Sequence, residues 1–294
     1  MASFLKRLMG GHEPPPPELA EATKRLDELA RTRPAINAPV HAMRDVLTAL
    51  LAEPVGDASV SMTPETAQSK LAAGIPLLRG EPAPGDQSAL RKRWFAVTKA
   101  FEGHQGRSDY QALAKAAKSG TLEPHTLLGE VLAGNLDVVG TAAASLGLDP
   151  SLMGTVLRLA SLPMLAAVAS RLEPLRSGNP WDRGFCPVCG SWPLLGEYRG
   201  LEQTRFLRCG LCAASWEFSR FRCPFCDERD HRQLAYIHAD GEQDRWRAAT
   251  CDSCHSYVKM VASLDSLSWP LLLVQDVATL HLDLAAADRG FMVR

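Results

Sequence analysis

Eight cysteines form four Cys-x-x-Cys pairs, all of them between Cys186 and Cys254, with none left over. No other feature limits the fold so strongly. Two intervening residues let a tight turn point both thiolates at one ion, while its backbone N–H groups hydrogen-bond the sulfurs. One such knuckle supplies half a tetrahedron; two complete a four-sulfur site that suits zinc or iron. The pairs are Cys186-Pro-Val-Cys189, Cys209-Gly-Leu-Cys212, Cys223-Pro-Phe-Cys226 and Cys251-Asp-Ser-Cys254. Taken in chain order they enclose 19 and 24 residues, close to the spacing of a four-cysteine ribbon. Both enclosed stretches, 192–207 and 234–246, are rich in aromatic and aliphatic residues and predict sheet. Cys-Pro-x-Cys opens each unit and a weaker Cys-x-x-Cys closes it, which marks an internal repeat. Gly190 after the first knuckle permits a left-handed turn that Asp227, its counterpart, tolerates less well.

In a secreted chain an even cysteine count would suggest disulfides. The opening Met-Ala-Ser-Phe-Leu-Lys-Arg-Leu-Met-Gly lacks an apolar stretch long enough for a signal peptide, so a reducing, cytoplasmic location is expected. Two apolar runs, 153–170 and 267–287, are interrupted by Arg158 and Pro163 and by Asp276, His281 and Asp283, so the chain is not expected to be membrane-embedded. A net charge of −1 gives no footprint for nucleic acid. There is no phosphate-cradling glycine loop, no His-Glu-x-x-His and no Gly-x-Ser-x-Gly, and four-thiolate sites leave no open coordination position. An enzyme is therefore not expected.

At 294 residues the chain exceeds what one hydrophobic core usually serves, and its composition changes at Arg176-Ser-Gly-Asn-Pro180. Residues 1–17 form a proline-rich leader. Helical periodicity begins with Leu19, Ala22, Leu26, Leu29 and Ala30 and stops at Pro34 and Pro39, and Thr63-Pro64-Glu65 opens another helix. After the loop Gly80–Gly85, the stretches 87–102, 108–118, 124–134, 136–146 and 151–172 each carry helical spacing. The expected architecture is a multidomain α+β chain. An all-helical domain at 18–178 precedes two small zinc-ribbon-like β modules at 179–218 and 219–262, with a C-terminal helix and tail at 263–294. Each loaded site carries −2, which Arg183, Arg205, Arg208, Arg220 and Arg222 are expected to offset. Trp192, Trp216 and Trp246 are expected to form the small cores of the ribbons, and His255 to lie beside the metal or in solvent.

With all four pairs in hand, the chain resembles the formate dehydrogenase accessory family FdhE. The residues that carry the resemblance are Cys186-Pro-Val-Cys189-Gly-Ser-Trp-Pro193, Leu207-Arg-Cys209-Gly-Leu-Cys212 with Trp216, Arg222-Cys223-Pro-Phe-Cys226, Cys251-Asp-Ser-Cys254-His-Ser-Tyr257-Val-Lys259, and the tail Gln275 to Asp283. Where that family carries two adjacent acids in its tail, this chain has Asp276 between Gln275 and Val277. The resemblance implies rubredoxin-like modules and two iron ions per chain, with zinc as the alternative, held by Cys186, Cys189, Cys209 and Cys212 and by Cys223, Cys226, Cys251 and Cys254. It further implies a cytoplasmic maturation factor that binds the catalytic subunit of respiratory formate dehydrogenase, with self-association left open. A rubredoxin-type electron carrier is the alternative function.

Overall fold

The computed structural model describes residues 17–293. The expected leader lies outside them except for Pro17, which opens α1 (Pro17–Thr32). Helix α1 buries Ala22, Leu26 and Leu29 on one face, at the predicted spacing. Pro34 and Pro39 do follow its end, yet they conceal a further helix. A single 3-10 turn, Pro34–Ile36, leads directly into α2 (Asn37–Ala52). Pro39 sits in the first turn of α2, where a backbone N–H has no intrahelical acceptor to lose. Helix α3 (Pro64–Ala72) is capped as its sequence predicts, the Thr63 hydroxyl accepting from the Thr66 N–H. Then come α4 (Gln87–Glu102), α5 (Arg107–Ser119), α6 (Pro124–Ala133) and α7 (Asp137–Ser145).

Helix α8 (Pro150–Arg176) extends beyond the expected 151–172 and runs through the helical core. It is long and apolar enough to cross a bilayer, but 67% of its most apolar window is buried within the protein, the pattern of a core helix. Pro163 interrupts its ladder of hydrogen bonds. Nearby, the fully buried Arg93 of α4 donates Nε to Ala160 O at 3.0 Å and Nη1 to Pro54 O and Val55 O. One guanidinium thus joins α4, α8 and the segment that follows α2.

The cysteine-rich part forms one six-stranded sheet from β1 (Pro193–Arg199), β2 (Thr204–Cys209), β3 (Ser215–Glu217), β4 (Leu234–Ile237), β5 (Trp246–Cys251) and β6 (Ser256–Ser263). The order is β3-β2-β1-β6-β5-β4. Each unit supplies a hairpin and a third strand, all antiparallel. Between units, β1 and β6 pair in parallel, from Leu195 opposite Lys259 to Arg199 opposite Ser263. The last strand of the second repeat therefore docks on the first strand of the first, so the repeat continues head to tail. Strand β6 is buried over its first six residues, as a central strand covered on both faces should be.

The described residues close on two helices where one was expected within 263–294. Helices α9 (Trp269–Ala278) and α10 (Leu280–Ala287) meet at a bend of 51°. Thr279, fully buried at the bend, gives its hydroxyl to Gln275 O at 2.7 Å and Asp276 O at 3.2 Å, the kind of side-chain competition that bends helices. Helix α9 packs on α1, α2 and β1, and α10 packs on β4, β5 and β6, so the pair locks the helical part to the sheet.

Candidate metal centres

The four knuckles meet two by two, in chain order. Cys186, Cys189, Cys209 and Cys212 form one cluster and Cys223, Cys226, Cys251 and Cys254 the other, with all sulfurs of a cluster within 4.8 Å of one another. Sγ separations are 3.5 Å for Cys186–Cys212, 3.3 Å for Cys189–Cys209, 3.7 Å for Cys223–Cys254 and 3.6 Å for Cys226–Cys251. A tetrahedron with metal–sulfur bonds of about 2.3 Å has edges of about 3.8 Å, so both clusters fit a zinc-sized or iron-sized ion. None of the eight is in a disulfide. Backbone N–H groups already aim at the sulfurs: Val188 N to Cys186 at 3.3 Å, Leu211 N to Cys209 at 3.3 Å and Phe225 N to Cys223 at 3.4 Å.

Burial pushes the thiols of Cys209 and Cys212 far up and that of Cys226 to about 11, and neighbouring cysteines add to the effect. Thiols so raised stay protonated until a cation enters, so metal binding releases protons. The two sites differ in access. All four ligands of the first are buried, whereas Cys226 is exposed and Cys254 half-buried. Gly190 and Asp227 both adopt the left-handed conformation, at φ 82° and 66°, so the second knuckle makes its turn with a residue for which this is less favourable.

The clusters touch each other and the helical part. Leu77 N and Leu78 N donate to Pro187 O and Val188 O at 2.9 and 2.8 Å, holding the first knuckle against the segment after α3. A methyl group on Gly184 would lie 1.6 Å from Pro224 O, so the approach to the first knuckle rests directly on the second. Trp216 and Trp246 are buried as predicted. Trp192 is only partly so and stands between the knuckles, its ring 6.1 Å from Phe185 and 5.5 Å from Phe225. His255 is exposed at φ 49° and its carbonyl accepts from Met292 N.

The basic residues divide by role. Arg208 pairs with the fully buried Glu197 and donates to Ala213 O at 3.0 Å, bracing the turn after Cys212. Arg222 pairs with Asp182 and Asp227 across the inter-knuckle contact. Arg183 lies across Gly74, and Arg220 over the Tyr198 ring. Arg205 is buried and lines a cleft with Cys223, and Arg158 of α8 lines one with Cys189 and Leu211. Burial lowers the pKa of both arginines, opposed at Arg205 first by Tyr198 and Tyr236 and at Arg158 first by Asp276. Arg158 escaped sequence reasoning because its segment reads only as a core helix.

A second buried polar cluster explains the Tyr-x-Lys ending of the motif. Lys259 Nζ meets Asp276 at 2.6 Å and Asp283 at 2.7 Å, and Tyr257 OH donates to Asp283 at 2.7 Å. Desolvation pulls the lysine down, but the two carboxylates outweigh it and hold its pKa above the usual lysine value. Gln275 accepts from Trp246 Nε1 at 2.9 Å. The tail residues therefore anchor α9 and α10 to the sheet.

This architecture has known relatives. Residues 185–220 match the family model described as FdhE, central domain, and residues 221–294 the one described as FdhE, C-terminal domain. The FdhE homologue of Stutzerimonas stutzeri is 37% identical over 113 residues, 37% of this chain and 36% of that protein. The Aquifex aeolicus homologue is 35% identical over 116 residues, 38% of this chain and 40% of that one. These alignments thus span less than half the length of the curated relatives. The crystal structure of the FdhE protein from Pseudomonas aeruginosa superposes with a TM-score of 0.66, at 24% identity, over 95% of both chains, and shows the same fold. Across residues 185–294 the chain is thus similar to the central and C-terminal domains of FdhE.

Proposed function

We propose that the protein is a cytoplasmic maturation factor that binds the catalytic subunit of formate dehydrogenase and is itself not a catalyst. The observation that carries this is the placement of two four-cysteine centres in one rigid sheet, within the residues that match FdhE. Each centre offers one ion four sulfurs and keeps no coordination position for a substrate, which suits a structural or recognition role. Iron is the metal the family resemblance favours, with zinc fitting the same sulfurs. A surface organised by two ions and by the Lys259 cluster loses little freedom when a partner docks.

A strain lacking the gene should still make the catalytic subunit and show little respiratory formate oxidation. Pull-down with the intact protein should recover that subunit. Normal formate oxidation in the deletion strain would overturn the assignment. One observation favours a second function, electron transfer. Cys226 is exposed, so an ion at the second site would lie close to solvent and to a redox partner. Reversible bleaching of an iron–thiolate spectrum, with undiminished formate oxidation in the deletion strain, would select that alternative.

A further inference from the structure

Strand β4 ends the sheet, and no strand among the described residues pairs with its far side. Asp252 N donates to Gln233 O at 2.9 Å, which turns Gln233 toward β5 and its continuation. Antiparallel strands direct the backbone groups of successive residues alternately toward and away from a neighbour. Ala235 and Ile237 therefore bond to β5, while the N–H and C=O of Tyr236 point to the free edge. The Leu234 N–H is already taken by His231 O in the 3-10 turn before the strand. What the edge offers is the C=O of Leu234 and both backbone groups of Tyr236, the kind of groups to which an extended chain adds as a strand.

The face beside this edge is cationic and aromatic. Arg247 lies 4.3 Å from the Tyr198 ring and 5.1 Å from the Tyr236 ring, and Arg220 lies 5.1 Å over Tyr198. The two tyrosine hydroxyls stand 3.0 Å apart, so the rings hold one another in place. Among the described residues neither Arg220 nor Arg247 makes an ion pair, whereas the acids of the neighbouring loop are matched: Asp227 by Arg222 and Arg229, and Asp230 by Arg232. With Arg205 beside them, these two guanidiniums outweigh the −2 of a loaded second centre. Phe221, next to Arg220, is 74% exposed and Tyr236 44%. Arginine and aromatic rings are the side chains enriched where proteins meet.

We infer that the outer edge of β4 receives an extended acidic segment of a partner protein, which adds as a further strand at Tyr236 and lays its carboxylates against Arg220 and Arg247. The inference rests on the reading above that the protein docks on another polypeptide, and it supplies the chemistry of the segment recognised.

The test measures fluorescence anisotropy of labelled peptides with the full-length, metal-loaded protein. A peptide of alternating glutamate and valine, about six residues long like an ordinary strand, should bind saturably and more weakly as salt rises. Lysine in place of glutamate should abolish binding. The glutamate–valine sequence with every backbone nitrogen methylated keeps the charge but has no N–H for the edge carbonyls, and should bind about tenfold more weakly. Arg220→Gln, at an exposed position, should weaken the acidic peptide about threefold with metal content unchanged. Hydrogen exchange at the Tyr236 amide should slow when the peptide is bound. No saturable binding, equal affinity for the methylated peptide, unchanged affinity in Arg220→Gln or an unchanged Tyr236 amide would each overturn the inference. These peptides carry no formate dehydrogenase sequence, so their result stands apart from that of the deletion strain, which tests the maturation reading.

Discussion

Glu197 is the residue whose loss the sheet should feel most. Its fully buried carboxylate takes Arg199, Arg208 and the Leu267 N–H, and so ties β1, β2 and the entry to α9. Glu197→Gln leaves two guanidiniums without their counter-charge and should cost about 3 kcal/mol, read by chemical denaturation of the metal-loaded protein. His281 offers a finer probe. It sits with Arg33 and Glu242, and burial, helped by Arg33, lowers its pKa while Glu242 opposes the shift. A histidine depressed in the folded state contributes stability above its unfolded pKa of about 6.5 and loses it as pH falls through its folded value. An NMR titration of the imidazole should therefore show a midpoint below about 6.5, moving upward in Arg33→Gln. A midpoint at or above the ordinary value would contradict the burial and the cation at this site.

At the scale of elements, the break at Thr279 decides how the chain closes. A straight helix from 269 to 287 would point Asp283 and Asp276 along one axis, whereas the bend brings both carboxylates to Lys259. Thr279→Val keeps the shape of the side chain and removes its two hydrogen bonds, and should destabilise the protein by about 1 kcal/mol. No loss in a denaturant titration would show that packing alone makes the bend. Capping and periodicity made most helices readable: Thr63 caps α3 and Asp86 caps α4 as such residues should. Helix α2 was hidden because Pro34 and Pro39 terminate one helix and permit the next, and local composition is the same for both.

At the scale of the molecule, the two centres form one mechanical unit. Elemental analysis should find two ions per chain, and metal affinity should fall with pH as protons compete for the thiolates. Replacing Cys223 and Cys226 by serine should remove the second ion and also hasten chelator extraction of the first, because Pro224 backs the Gly184 approach. Gly184→Ala, which touches no ligand, should loosen both. Extraction of the first ion at an unchanged rate in both variants would mean the contact carries no load. Far-UV circular dichroism should keep its helical signal throughout, since the helices bury Trp94, Leu90 and Leu165 away from solvent without help from either ion.

The sequence by itself determined the eight candidate ligands, their grouping and the helical character of the first half, because chelation and helix formation depend on spacings of two to four residues. Such spacings survive whatever the rest of the chain does. Only the tertiary structure decided the head-to-tail sheet, since β1 and β6 are about sixty residues apart and nothing local selects that partner. It also decided that Trp192 stands between the knuckles and that Arg158 lines a cleft with the first site's Cys189. The buried, unpaired Nε and Nη2 of Arg205 were equally out of reach, for a side chain's unmet hydrogen bonds follow from everything packed around it.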